Sequence, residues 1–173
     1  MEKIRLQPST FLFEDDGKIP NNPQLPLLFY VGAFGRETVD ADLIEDTFRQ
    51  NQWGGSWRSS VFSYPHYHAE AHEALGCFRG TAVIRLGGSN GIEQKVQPGD
   101  VVVIPAGVGH ENLGSSGDFT VVGAYPPGQS PDLQRGEPAE RSWAMESIGQ
   151  VPLPPTDPVF GRGGPLNELW VPA

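Results

Sequence analysis

Three of the chain's four histidines, His66, His68 and His72, stand with Glu70 and Glu73 in the stretch from Tyr64 to Gly80. The fourth, His110, lies in a second turn rich in proline and glycine, Ile104 to Asn112. Imidazole and carboxylate together are the ligand set of first-row transition metals. Residues two apart on a strand share a face, so His66 and His68 project together, with Phe62 and Tyr64 on the same side. A turn and a following strand bring Glu73 back beside them, and a neighbouring loop supplies His110. Three neutral imidazoles and one carboxylate would hold one divalent transition metal ion (Fe, Mn, Co, Ni, Cu or Zn) and leave positions open for substrate. Phe62 and Tyr64 would line a substrate cavity or fill the core around it.

The neighbouring residues have competing readings. His68-Ala69-Glu70-Ala71-His72 places two histidines four apart, as on a metal-binding helix. A zinc-protease helix needs its glutamate directly after the first histidine, where Ala69 stands, and Pro65, Gly76 and Gly80 leave little room for a helix. His72, next to Glu73 on an extended chain, is predicted to point the other way, as a loop or outer-face residue. Cys77 shares the face of Glu73 but lies ~13 Å along the strand, too far for the same metal, and reads as a buried free thiol. Arg58 reads as a surface or interface residue rather than a substrate clamp.

The elements that must carry these residues are mostly strands. Residues 10–14 and 27–33 read as short strands, and 40–50 as a helix. Asp40 or Asp42 would cap that helix, and Leu43, Ile44 and Phe48 form its apolar stripe. From Trp57 onward short strands alternate with turns: 57–64, 73–78, 81–86, 92–96, 101–104 and 118–125. Gly87 to Gly91 forms a hairpin turn and Pro98-Gly99-Asp100 a tight turn. Such spacing predicts a sandwich or barrel. Ten of the seventeen prolines follow Tyr125, in a tail with one expected helix near 141–148. Trp143, Phe160, Leu166, Leu169 and Trp170 in that tail want burial, which predicts an arm packed on the barrel or on a second subunit.

A net charge of -9 and a pI near 4.8 argue against nucleic acid or an anionic membrane as partner. The single cysteine and a beginning without an apolar signal region lead to a cytoplasmic expectation. The most apolar run, 25–34, is broken by Pro26 and Gly32 and falls short of the ~20 residues of a membrane helix.

The segment His66-x-His68, four residues, Glu73, six residues, Gly80 forms one motif. Gly99, five residues, Pro105-x-Gly107, two residues, His110 forms a second. Together they resemble the two motifs of the cupin superfamily, including the gap lengths. Ser60 stands where the first motif usually opens with glycine. Gly114 stands where the second usually closes with asparagine, with Asn112 the nearest substitute. Neither position is a ligand. The resemblance implies an all-β, cupin-type double-stranded β-helix or jelly-roll barrel, with His66, His68, Glu73 and His110 as metal ligands. It leads to one domain over 1–173: a barrel core at 57–125, N-terminal strands and a short helix at 1–56, and an extended Pro-rich C-terminal arm at 126–173. The chain also looks like small bacterial cupins of unassigned activity. The implied function is a dioxygenase-like oxidoreductase acting on a small organic molecule such as an organic acid. The gap between His68 and Glu73 is similar to that in germin-like oxidases and quercetin dioxygenases. A metal-dependent isomerase or decarboxylase, and a non-enzymatic binding or sensing module, are the alternatives. The expected partners are a small molecule and a second copy in a homodimer. No catalytic residue beyond the ligands is assigned.

Overall fold

The computed structural model describes residues 6–172. The strands run Ser9–Phe11 (β1), Leu27–Tyr30 (β2), Gly54–Ser59 (β3), Glu73–Arg79 (β4), Ala82–Leu86 (β5), Ile92–Val96 (β6), Val101–Ile104 (β7), His110–Ser115 (β8) and Thr120–Tyr125 (β9). They form two sheets, β1-β2-β7-β4-β9-β3 and β6-β5-β8, and every pairing is antiparallel. This is the jelly-roll barrel expected from the motifs.

All four residues of β7 are buried, because the larger sheet is covered on both faces. Its inner face sends Leu75, Val102 and Ile104 against Ile84 and Leu86 of the smaller sheet. Its outer face sends Ala74, Val101, Val103 and Val122 against helix α1, Ala41–Gln50. That helix buries Ala41, Ile44 and Phe48, the 3.6-residue stripe. Leu43, expected in the stripe, lies at its edge and is exposed. Asp40 is the cap, accepting from the Leu43 amide at 2.8 Å. Asp42 and Glu45 instead bind Arg58 at 2.7 and 2.8 Å, which ties α1 to β3. Gly76 permits the close packing, since a Cβ there would stand 2.6 Å from Ile44.

The strand expected over 57–64 ends at Ser59. Beyond it the chain runs beside β8 through single bridges: the Asn112 amide donates to Phe62 O, and His66 and His110 exchange backbone hydrogen bonds.

The tail is less extended than the sequence implied. It carries two helices, Arg141–Gln150 (α2) and Pro165–Leu169 (α3), and returns Leu166 and Trp170 to the outer core. Asp157, fully buried, anchors it. Its carboxylate accepts from the Tyr30 hydroxyl of β2 and from the amides of Val159, Phe160 and Leu166. Trp170 donates its indole N–H to Pro26 O at 2.7 Å. Trp143, also expected to be buried, is 47% exposed, whereas Trp170 is 2% exposed. Among the described residues no helix is long and apolar enough to cross a membrane.

These two tryptophans make a paired test of the tail. Trp170→Ala should cost ~3–5 kcal/mol of unfolding free energy, as expected for a buried aromatic. Trp143→Ala should stay within ~0.5 kcal/mol. Denaturant titration of both variants decides it; equal losses would show that the tail packs differently.

Candidate metal centre

Strand alternation sets the direction of Glu73. Leu75 and Cys77, two and four residues on, lie in the inner core, so Glu73 also faces the barrel interior. His110 opens β8, and its backbone pairs with Leu86 on one side and His66 on the other. That pairing puts two imidazoles side by side, with ring centroids 4.0 Å apart. His68 follows on the same face, its carbonyl accepting from the Gly107 amide at 2.8 Å.

Donor atoms of His68, Glu73 and His110 all lie within 4.8 Å of one another. His68 Nε2 stands 3.4 Å from one Glu73 oxygen and His110 Nε2 stands 3.2 Å from the other. His66 is outside this tight group, but it lines the same cavity and packs against His110 with its ring tilted by 55°.

The tautomers follow from hydrogen bonding. His66 Nδ1 lies 3.0 Å from Tyr64 O and His110 Nδ1 lies 3.2 Å from Val108 O. His68 Nδ1 contacts Asp132 O. A carbonyl only accepts, so each Nδ1 carries the proton and each neutral ring offers Nε2 as a lone pair. Two of those lone pairs face a buried carboxylate, an acceptor facing acceptors. Without a cation or added protons this arrangement is repulsive. The donor separations match bonds of ~2.0–2.2 Å to one shared ion. The residues therefore fit a transition metal.

Electrostatics agree. Burial would raise the Glu73 carboxyl, but when His110 and His68 carry a second proton on Nε2 their hydrogen bonds and charge outweigh it and hold the group below the usual carboxylate range. Burial pulls His68 down, yet Glu73 and the Asp132 carbonyl leave it above its ordinary value. For His66 the Tyr64 carbonyl and Glu73 compensate too little, and burial and His110 push it down to about 3.

A cavity of about 370 Å3 opens over the group. Trp57, Val61, Phe62, Leu75, Tyr125 and Leu133 form its apolar wall. Tyr64 lies just behind, its ring stacked on Phe62 at 4.9 Å. A larger cleft of about 780 Å3, between residues 12–25 and the end of α2, contains none of the histidines. Chemistry rather than size therefore identifies the site.

Sequence reasoning missed several residues. Tyr125 is a strand neighbour of Glu73 across β4 and β9; its phenol oxygen accepts from Trp57 Nε1 at 2.7 Å and lies within reach of the Glu73 charge. Burial and the Glu73 charge push this phenol up. Gly123 leaves room for the Trp57 indole, since a Cβ there would stand 2.2 Å from it. The Asp132 side chain accepts from the amides of Ala69 and Glu70, holding the loop after His68. Asn21 donates to Glu14 O and Gly87 O and accepts from the Gly109 amide, next to His110. Only the register of β9 against β4 could have marked Tyr125; the others make contacts too distant in sequence for any local pattern.

His72 corrects an expectation. It is the loop residue on the face away from Glu73 that was expected, but that face is covered, so His72 is fully buried, its ring 4.9 Å from Trp170. Its Nδ1 accepts from the Ala106 amide at 2.8 Å, fixing the turn that leads to His110. Cys77 is the buried free thiol expected, pushed up to about 11 by burial. Arg58 is outside the cavity, as expected.

Burial pushes His72 down to about 4 from an ordinary 6.5. In the unfolded chain His66 and His72 take protons near pH ~6.5; folded, they refuse them until far lower pH. Their contribution to stability is complete above pH ~6.5 and is lost as pH falls through the folded values. Glu73 acts in the same sense at lower pH, and His68, being raised, acts in the opposite one. Chelator-treated protein should lose stability from pH 6.5 to 4, by up to ~1.4 kcal/mol per pH unit for each depressed histidine. His72→Asn should flatten that slope. Urea midpoints across the range test this, and parallel slopes for both proteins would contradict it.

A family model described as "Cupin" matches residues 58–126. An uncharacterised protein of Bacillus subtilis, YjlB, is 48% identical over 162 residues, covering 94% of this chain and 96% of that one. An acireductone dioxygenase from Bacillus anthracis with cadmium in its active centre aligns with a TM-score of 0.42 and 13% identity, over 61% of this chain and 82% of that one. The polyketide cyclase RemF from Streptomyces resistomycificus aligns with a TM-score of 0.39 and 16% identity, over 86% and 98%. At these scores the two structural likenesses carry no weight on function. The family match, the relative's near full-length identity and the two motifs on a jelly-roll barrel agree: the chain belongs to the cupin family.

Proposed function

We propose that His66, His68, Glu73 and His110 hold one divalent transition metal ion, and that the protein is a dioxygenase-like oxidoreductase acting on a small organic molecule in the cavity above it. The observation that carries this reading is the set of three Nδ1–H groups turned onto backbone carbonyls, leaving two Nε2 lone pairs beside a buried carboxylate and a third on the His66 ring lining the same cavity. Metal-binding histidines are oriented in this way. The tight group of two histidines and one carboxylate has the composition of non-haem iron oxygenase sites. When bound, the metal supplies a Lewis-acid and redox centre with positions open to ligands.

The chain's own residues do the rest. Glu73 contributes the negative charge. The carbonyls of Tyr64, Val108 and Asp132 hold the rings and make them better donors. Trp57, Val61 and Leu75 exclude water from the cavity floor, which strengthens electrostatic interactions there.

Elemental analysis after mild purification should find about one transition-metal ion per chain, as four ligands make one site. His68→Ala, Glu73→Gln and His110→Ala should each reduce metal affinity at least tenfold, and His66→Ala should also weaken it. His72→Ala should retain metal wherever it folds. A chain that stays empty when offered Mn, Fe, Co, Ni, Cu and Zn in turn would sink the metal reading.

For the oxidative reading, Fe(II)-loaded protein should bind nitric oxide, a surrogate for O2, and show a high-spin iron–nitrosyl signal by electron paramagnetic resonance. Retained metal with no such signal would count against a dioxygenase and favour a purely Lewis-acid role.

A further inference from the structure

We infer that the ligand of this site is an uncharged, largely apolar ring compound that offers the metal one hydroxyl or carbonyl oxygen; this rests on the metal reading above. An organic acid, the class expected from the sequence, would want a cationic clamp. Among the described residues no lysine or arginine lines the cavity. Arg58, on the strand that supplies Trp57, binds Asp42 and Glu45 at 2.7 and 2.8 Å. Arg135 lies over the Tyr64 ring, 3.7 Å from its centroid, rather than in the cavity.

The charged lining residue apart from Glu73 and the histidines is Asp132. An entering carboxylate would meet that negative charge. It would also find a metal whose charge Glu73 already offsets in part. The walls favour an apolar ring. Trp57 spends its polar atom on the wall itself, since the indole N–H donates to the Tyr125 phenol. Phe62 lines the cavity and is 51% exposed, an aromatic surface left open at its mouth. Ser59 and Ser60 add neutral hydroxyls suited to a second oxygen of such a ligand. A cavity of about 370 Å3 is at the small end for ligand pockets, which suits one substituted ring.

The test is calorimetric titration of metal-loaded protein at pH 7 with three probes: catechol, which is uncharged at that pH, and benzoate and succinate, which are anionic. Catechol should bind at least tenfold tighter than either anion. Leu133→Arg places a cation at the cavity wall at a position 47% exposed, where the fold tolerates a long side chain. It should narrow the catechol-to-benzoate ratio at least fivefold. Metal-loaded protein that binds benzoate or succinate as tightly as catechol overturns this inference and leaves the metal reading intact. An unchanged ratio in Leu133→Arg also overturns it. Protein that takes up no metal overturns the metal reading, and this inference with it.

Discussion

A carboxylate with almost no water around it, facing two imidazole lone pairs, is the constraint on which the rest of this structure depends. Glu73 is 2% exposed, and its two oxygens stand 3.2 and 3.4 Å from ring nitrogens. An isolated buried charge of this kind is costly enough that it normally loses its proton balance or finds a partner. The cost falls only if positive charge sits among the donors. Protons on His68 or His110 can supply it, and a divalent cation supplies it with more charge and more bonds. Because three Nδ1 atoms are committed to carbonyls, protonation and metal binding compete for the same Nε2 atoms. The site is thus a cation site by electrostatic necessity, before any chemistry is assigned to it.

Holding such a site costs conformational entropy, and the chain meets that cost with segments far from the barrel core. Asn21 grips the backbone before His110, and Asn22 donates to Ala106 O in the same turn. His72 reaches that turn from the other side and is itself covered by Trp170. Asp132 holds the chain around His68 through its own carbonyl and its side chain. The N-terminal loop therefore acts on the position of His110 without lining the cavity, whereas the proline-rich tail also lines it through Pro131, Asp132 and Leu133. The buried Asp157 extends this logic, since it locks the tail to β2 and so keeps Trp170 over His72.

Much of this was legible in the sequence, for identifiable reasons. The barrel strands follow period-two patterns and glycine-rich turns, both local signals, so most of them fell within a few residues of their observed ends. His66, His68, Glu73 and His110 could be singled out because metal ligands must be particular residue types at fixed spacings, and the fold brings all four to one cavity. What stayed hidden depends on contacts between distant segments. His72 looked like a surface residue because strand parity opposite Glu73 means solvent only if nothing covers the outer face, and here Trp170 and helix α1 do. Trp143 and Trp170 have the same chemistry, so composition alone could not say which is buried. Tyr125 looked like the end of a strand until the register of β9 placed it beside Glu73.

That register joins the cavity wall to the ligand set. Tyr125 stands near the Glu73 charge and accepts from Trp57, and Trp57 fits only because residue 123 has no side chain. A side chain at 123 would displace the indole and release the phenol beside Glu73. Cavity shape and the surroundings of Glu73 are therefore not independent features of this fold. A change of the wall that alters which molecule fits also alters the environment of the buried carboxylate. The stiffness of three adjacent strands, β4, β9 and β3, is what couples them, because each of the three residues stands on a different one of these strands.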